Sequence, residues 1–299
     1  MVFAIGETVY DIIFEHGQPK AARAGGAMLN SAVSLGRKGL NVEMITELGN
    51  DRIGEMVLDF LGENGVSTSY TRPVNGFKTP VSLAFLDEQG NAHYSFYKNY
   101  PRERLNISWP SPASADIVLF GSYYSLDPAI HSKIAGFIRT AKEAGALIVY
   151  DPNIRKNHLA EIRGLMPHLE ENMALAHIVR GSDEDFENLF GLNTGEMVFE
   201  RLNHLSCKNL IYTCSDKGAE VFTEKFHFHV PAKKTVVVST IGAGDSFNAG
   251  IIYGLVKKGL TYADLSQISE GDWKEIINDG IEFAAEVCGS YENYIKRQL

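Results

Sequence analysis

Ser239-Thr240-Ile241-Gly242-Ala243-Gly244-Asp245-Ser246-Phe247-Asn248-Ala249-Gly250 follows directly on the β-branched run 236–238. Gly242 and Gly244 permit torsions that turn successive amide N–H groups toward one point. A helix over residues 245–257 aims the positive end of its dipole at the same place. Gly242, Ala243 and Gly244 therefore read as an anion hole, and Asp245 sets a carboxylate beside it. Two readings of Asp245 follow. It caps the helix, a position Asp favours, or it takes a proton from a hydroxyl that attacks a phosphate.

Outward from this stretch the chain alternates. Short apolar runs at 2–5, 42–46, 117–120, 147–150, 178–180, 209–213 and 236–238 read as strands, and helical spacing occupies 27–37, 53–61, 130–144, 245–257 and 273–287. The succession predicts βαβ units, hence an α/β fold with a mainly parallel sheet covered by helices on both faces, spanning 1–299 as a single domain. Two extended runs, 80–86 and 92–98, interrupt the rhythm around Asp87-Glu88-Gln89-Gly90 and read as a β-hairpin, either a flap or a surface decoration. Pro-containing stretches at 109–112 and at Pro167 read as short loops.

Composition narrows the function. Of 299 residues, 44% are hydrophobic and 22% charged, ordinary values for a globular enzyme. A net charge of −9, from 28 basic and 37 acidic residues, argues against a polyanion-binding surface, which needs Lys and Arg to displace counterions. Three cysteines without C-x-x-C spacing point to neither a disulfide framework nor a zinc site. The first residues carry no secretory pattern and no stretch approaches a membrane span, so a cytoplasmic location is expected.

Other candidates cluster after strands. Gly25-Gly26 ahead of a helix whose first turn carries Asn30 reads, taken alone, as a loop with the Asn capping the helix, or as a turn that lets a hydroxyl-rich ligand approach the backbone and meet both donor and acceptor on Asn30. Asp11, following the first strand, is either a solvated loop residue or sits where α/β sheets bind ligands and accepts two bonds from neighbouring hydroxyls. Arg155, in Asp151-Pro152-Asn153-Ile154-Arg155, suits a phosphate or a carboxylate. Ser182 to Asp185 reads equally as a magnesium-holding acid cluster and as an acidic helix N-terminus. Thr213-Cys214-Ser215-Asp216-Lys217-Gly218 reads as a nucleotide-phosphate loop through Thr213 and Lys217, or as a hairpin turn. A P-loop motif is absent, and Phe247 stands where a dinucleotide fingerprint wants its third glycine.

Taken together, these segments resemble the PfkB (ribokinase-like) family of carbohydrate kinases over essentially the whole chain. Gly25-Gly26-x-x-x-Asn30 with Gly36 and Gly49-Asn50-Asp51 is similar to one family signature, and residues 240–247 to the other. Their joint occurrence, about two hundred residues apart, makes coincidence a poor account. The resemblance implies a ribokinase-like α/β fold with a small β lid, its elements around 9–16 and 77–100. It also implies ATP-dependent transfer to a primary hydroxyl of a sugar, with Asp245 as base. Asp11, Gly25, Gly26 and Asn30 would hold the sugar, Phe96 or Tyr97 of the lid would cover it, and Thr213, Ser215, Gly218 and Gly244 would meet the nucleotide. Asp185 would position Mg²⁺, a monovalent cation would bind nearby, and a homodimer would form through the lid. The D-P-N-x-R segment with Arg155, and Gly121 to Leu126, look fructokinase-like. The alternatives are a kinase for ribose, a keto-deoxy sugar acid or a nucleoside, or a sugar-binding regulatory protein without catalysis. For a sugar acid, Arg155, Lys98 or Arg102 would supply the cation. Three positions depart from the family pattern: Ser239 replaces an Asp linked to the monovalent cation, Ser182 and Asp185 replace N-x-x-E, and Ser215 replaces a nucleotide-loop glycine.

Overall fold

The computed structural model describes residues 1–86, 92–154 and 158–297; the hairpin turn read at 87–90 and Arg155 lie outside the described residues. The chain opens with β1 (Val2–Ile5), β2 (Val9–Glu15), β3 (Gln18–Gly25), α1 (Ala27–Arg37), β4 (Val42–Ile45), β5 (Glu47–Gly49), α2 (Arg52–Glu63), β6 (Val66–Ser67), β7 (Arg72–Val74), β8 (Lys78–Leu86) and β9 (Ala92–Asn99). It continues with β10 (Ile117–Gly121), α3 (His131–Glu143), β11 (Leu147–Asp151), α4 (Leu159–Leu175), β12 (Ile178–Ser182), α5 (Asp183–Phe190), α6 (Gly195–His204) and β13 (Leu210–Thr213). The antiparallel pair β14 (Ala219–Phe222) and β15 (His227–Val230) precedes α7 (Ala243–Lys257) and α8 (Glu270–Cys288).

Among the described residues, nine strands form one sheet in the order β15-β14-β13-β12-β11-β10-β1-β4-β6, parallel from β13 to β6. β1 and β10, in the interior of the sheet, carry no polar side chain, and β11 carries no charged one before Asp151, because both faces are covered. Val2, Ala4, Ile117, Leu119, Leu147 and Val149 pack into the core beneath α1, α7 and α8. Their neighbours Phe3, Ile5, Val118, Phe120, Ile148 and Tyr150 pack into the core beneath α3 and α4. Each such buried large side chain contributes roughly 1.5–3 kcal/mol.

A separate sheet, β3-β2-β8-β9, forms the lid. Its β2-β3 hairpin turns at His16 and Gly17, both at positive φ (50° and 75°), the two-residue turn that matches strand twist.

Two sequence expectations are corrected. Residues 236–238 are not a strand: Val236, Val237 and Val238 are 82%, 60% and 41% exposed, and the sheet edge is already filled by β15. The N–H groups of Val238 and Ser239 instead both donate to the carbonyl of Cys288. A three-residue apolar run is too short for periodicity to assign. Pro167 lies inside α4 rather than in a loop, where its missing N–H removes one helical bond that the flanking apolar face outweighs.

The α3–β11 side holds a pH-sensitive contact. His177 is 7% exposed, its Nδ1 accepts the N–H of Ile148 at 3.1 Å, and its ring stacks on Tyr262 at 3.9 Å. Burial, with a smaller push from Lys142, lowers its pKa from 6.5 to about 4. The folded state therefore prefers neutral His177. Its contribution is complete above the unfolded value and is lost as pH falls from 6.5 toward 4, by at most about 3 kcal/mol. Urea midpoints at pH 7 and pH 4.5 measure this, and His177→Gln should flatten the difference.

Candidate active site

α7 begins at Gly242, whose φ of 80° and ψ of −1° place it in the left-handed region. A Cβ there would lie 2.3 Å from the carbonyl oxygen of Asn293, so the position admits only glycine on two counts. The first-turn amides of a helix have no intrahelical acceptor; here the Ala243 N–H donates back to the Thr240 carbonyl at 3.2 Å, and Asp245 stands in the same turn, half-buried.

Two amides hold the Asp245 carboxylate. Asn30 Nδ2 donates to Oδ2 at 2.8 Å and Asn153 Nδ2 to Oδ1 at 3.5 Å, while Ser31 Oγ donates to the Asp245 carbonyl at 2.8 Å. α1 thus brings Asn30 against α7. Gly26, at φ 127°, lets the chain enter α1 in contact with the loop after β1, where a Cβ would lie 2.2 Å from the carbonyl of Glu7. At Gly25 a Cβ would lie 2.2 Å from Asp11 Oδ2. The glycine pair therefore seats Asp11 beside the end of β3, while Asn30, in the first turn of the helix that follows, reaches Asp245.

Lid register separates the two aromatic candidates. Asp11 pairs with Ser82, and Ser82 with Phe96, so Phe96 shares the face of Asp11. Tyr97 pairs with Val81, which pairs with Tyr10, and lies on the opposite face, 62% exposed. Of the two residues expected to cover the substrate, Phe96 is the one facing Asp11. The lid is fixed at its base by Glu7, which accepts from Lys98 Nζ at 2.6 Å and from the Tyr100 hydroxyl. Burial and the Glu7 carboxylate raise the Tyr100 pKa well above its ordinary value, which keeps the phenol a donor.

Behind the turn lies a buried polar cluster. Asp151, fully buried, accepts from Arg180 Nη1 at 3.0 Å, from Asn248 Nδ2 and from the Asn153 N–H at 3.0 Å. Burial raises its pKa against the lowering effect of Arg180. Arg180 Nη2 also donates to Thr213 Oγ1 at 2.8 Å, and its Nη1 lies 3.0 Å from where a Gly244 Cβ would stand. Thr213 is thus 7% exposed, with its hydroxyl engaged by Arg180 rather than open at the loop.

Ser215 adopts φ 48°, so the serine keeps the left-handed torsion that a glycine would take without cost. Gly218, at φ 108°, leaves 2.1 Å between a Cβ and the carbonyl of Val230. Asp185 forms the capping box of α5: its Oδ2 accepts from the Ser182 N–H and hydroxyl, its Oδ1 from the Ile154 N–H, and it is 8% exposed. Residues 182–185 form the acidic helix N-terminus, one of the two readings of this segment. With Oδ2 accepting two bonds and Oδ1 one, a hydrated magnesium ion would meet this carboxylate through a water at the remaining lone pair of Oδ1.

Asn153, Arg180 and Glu7 are site residues that sequence reasoning passed over. Asn153 carried a signal, since it precedes Arg155 in the same strand-end motif and is a residue type that tolerates the positive φ, 40°, it adopts. Arg180 and Glu7 acquire partners only through tertiary contacts.

Among the described residues, no helix is long and apolar enough to cross a membrane. The family model described as pfkB family carbohydrate kinase matches residues 1–296. A fructokinase of Rhizobium leguminosarum bv. trifolii is 31% identical over 267 residues, covering 85% of this chain and 79% of the relative. The crystal structure of a fructokinase with bound ATP from Xylella fastidiosa superposes with a TM-score of 0.84 at 22% identity, covering 98% of this chain and 93% of that one. That of aminoimidazole riboside kinase from Salmonella enterica, with aminoimidazole riboside and an ATP analogue, gives 0.83 at 22% identity over 98% and 94%. With the family match running from the first strand to the tail behind Gly242, the chain belongs to the pfkB family of carbohydrate kinases and is an ATP-dependent phosphotransferase.

Proposed function

We propose that the protein phosphorylates a primary hydroxyl of a small neutral sugar, a hexose such as fructose, at the expense of ATP. The observation that carries this reading is the Asp245 carboxylate, set at the start of α7 and oriented from α1 by Asn30. The sugar docks against Asp11, Gly25 and Asn30 beneath Phe96. Asn30 Oδ1 has no hydrogen-bond partner among the described residues and is buried, so it is the natural acceptor for a sugar hydroxyl. Asp245 removes the proton of the hydroxyl aligned with the γ-phosphate, and the amides at Gly242 and Gly244, with that of Ala243 exchanging the Thr240 carbonyl for the phosphoryl oxygens, stabilise the charge that builds on the transferring group. Magnesium enters as part of the Mg-ATP substrate.

The test is ADP release with a panel of hexoses, pentoses, sugar acids and nucleosides. Turnover confined to sugar acids or nucleosides would overturn the substrate class; sugar binding without ADP release would overturn catalysis.

We infer in addition that a second copy of this chain covers the outer lid face. Ile12, Phe14, Leu83, Phe85 and Tyr97 share that face by register, and Phe14 stacks on Phe85 at 5.0 Å. Phe85 and Tyr97 are 41% and 62% exposed, an apolar face unusual on a monomer. Sedimentation should give a dimer that Leu83→Asp converts to monomer; a monomeric parent would refute it.

A further inference from the structure

The chain after α8 crosses behind the Gly242 turn, and Arg37 holds it there. Arg37, in the last turn of α1, donates from Nη1 to the carbonyl of Ile295 and from Nε to Asn64 Oδ1, both at 2.7 Å. Its guanidinium lies 4.6 Å from the ring centre of Tyr294. The Ile295 N–H donates to Ser34 Oγ at 3.4 Å, and Tyr294 and Ile295 are 3% and 0% exposed. The next residue upstream, Asn293, then presses its carbonyl onto Gly242, leaving 2.3 Å to a would-be Cβ.

A glycine turn by itself is conformationally permissive. Amides stabilise a transferring phosphoryl group only if they need not reorganise as charge develops. The carbonyl wall supplied by Asn293 removes one side of the space into which Gly242 could rotate, and Arg37 fixes that wall together with Ser34 and the packing of Tyr294 on Phe60. α1 therefore carries two tasks on one helix: near its start Asn30 and Ser31 hold Asp245, and at its end Arg37 holds the tail behind the turn.

We propose that Arg37 is a positioning residue for phosphoryl transfer, acting through residues 293–295 on the Gly242 turn. The inference rests on the reading of that turn as the phosphoryl site. Arg37→Met keeps the aliphatic stem over Tyr294 and removes both hydrogen bonds. The expected result is a drop in kcat of about tenfold, within the range that small misplacements cost. Affinity for the sugar that supports turnover, titrated without nucleotide, should stay within about twofold, as should affinity for ADP alone. ADP with aluminium fluoride, a mimic of the group in flight, should bind about tenfold more weakly in the presence of sugar. Arg37→Lys, which can still reach the Ile295 carbonyl, should recover part of both losses, and it carries the test with the same readouts if the Met variant does not fold.

Unchanged kcat and unchanged aluminium fluoride affinity in a folded variant would overturn the proposal, as would an equal loss of affinity for every ligand. Gly242→Ala separates the two ideas. If it leaves aluminium fluoride affinity intact, the turn itself is not the phosphoryl site; if it weakens that affinity while the Arg37 variants do not, only the clamp fails.

Discussion

Asp245→Asn should lower kcat by about 10² to 10⁴, the usual contribution of a general base, in a protein that still folds and binds sugar. The substitution preserves size, and an amide oxygen can still accept from Asn30 Nδ2, now at 2.8 Å from Oδ2. What changes is basicity, and the contact with Asn153 goes with it, because an amide NH₂ cannot accept from Asn153. That contact is the longer one, at 3.5 Å, so its loss is the smaller effect. The loss should therefore fall on kcat, with the sugar and ATP dissociation constants near those of the parent. Steady-state kinetics together with titration of sugar alone measure the split. Turnover near the parental rate would remove Asp245 from its assigned role, whatever the fold.

Much of this site was legible in the sequence because glycines announce backbone requirements directly. Gly26, Gly218 and Gly242 all have positive φ and a would-be Cβ within 2.3 Å of a backbone carbonyl, so no other residue type fits and each position stands out. The central strands were equally plain, since burial on both faces leaves uninterrupted apolar runs at residues 2–5, 117–120 and 147–150. The lid was half-visible. β8 and β9 have strand composition, whereas β3 reads Gln-Pro-Lys-Ala-Ala-Arg-Ala-Gly, a sequence with little strand propensity that pairs because β2 lies beside it. Nor could the sequence say that Phe96 and not Tyr97 faces Asp11, since register depends on pairing partners. The Asp151, Arg180 and Asn248 cluster was hidden for a different reason. Its members come from β11, β12 and α7, and a buried ion pair leaves no local periodicity to read.

Gly25→Ala should raise the KM for sugar by roughly 10² while leaving the KM for ATP nearly unchanged. The new Cβ would stand 2.2 Å from Asp11 Oδ2 and 3.2 Å from its Cγ. The neighbour that must give way is a side chain, so the carboxylate swings aside and the fold is spared. The contrast with Gly26 is instructive. There the clash is with the Glu7 carbonyl and φ is 127°, so Gly26→Ala should cost stability rather than affinity alone. If Asp11 accepts two sugar hydroxyls, losing those charge-assisted bonds costs about 3 kcal/mol or more, which is the predicted hundredfold. The cycle with Asp11→Ala supplies the decisive measurement: if both substitutions act by removing the same carboxylate from the sugar, their effects on KM should not add. Additive losses would mean that Gly25→Ala damages the cleft by another route, and an unaltered KM in Asp11→Ala would take that residue out of the sugar site.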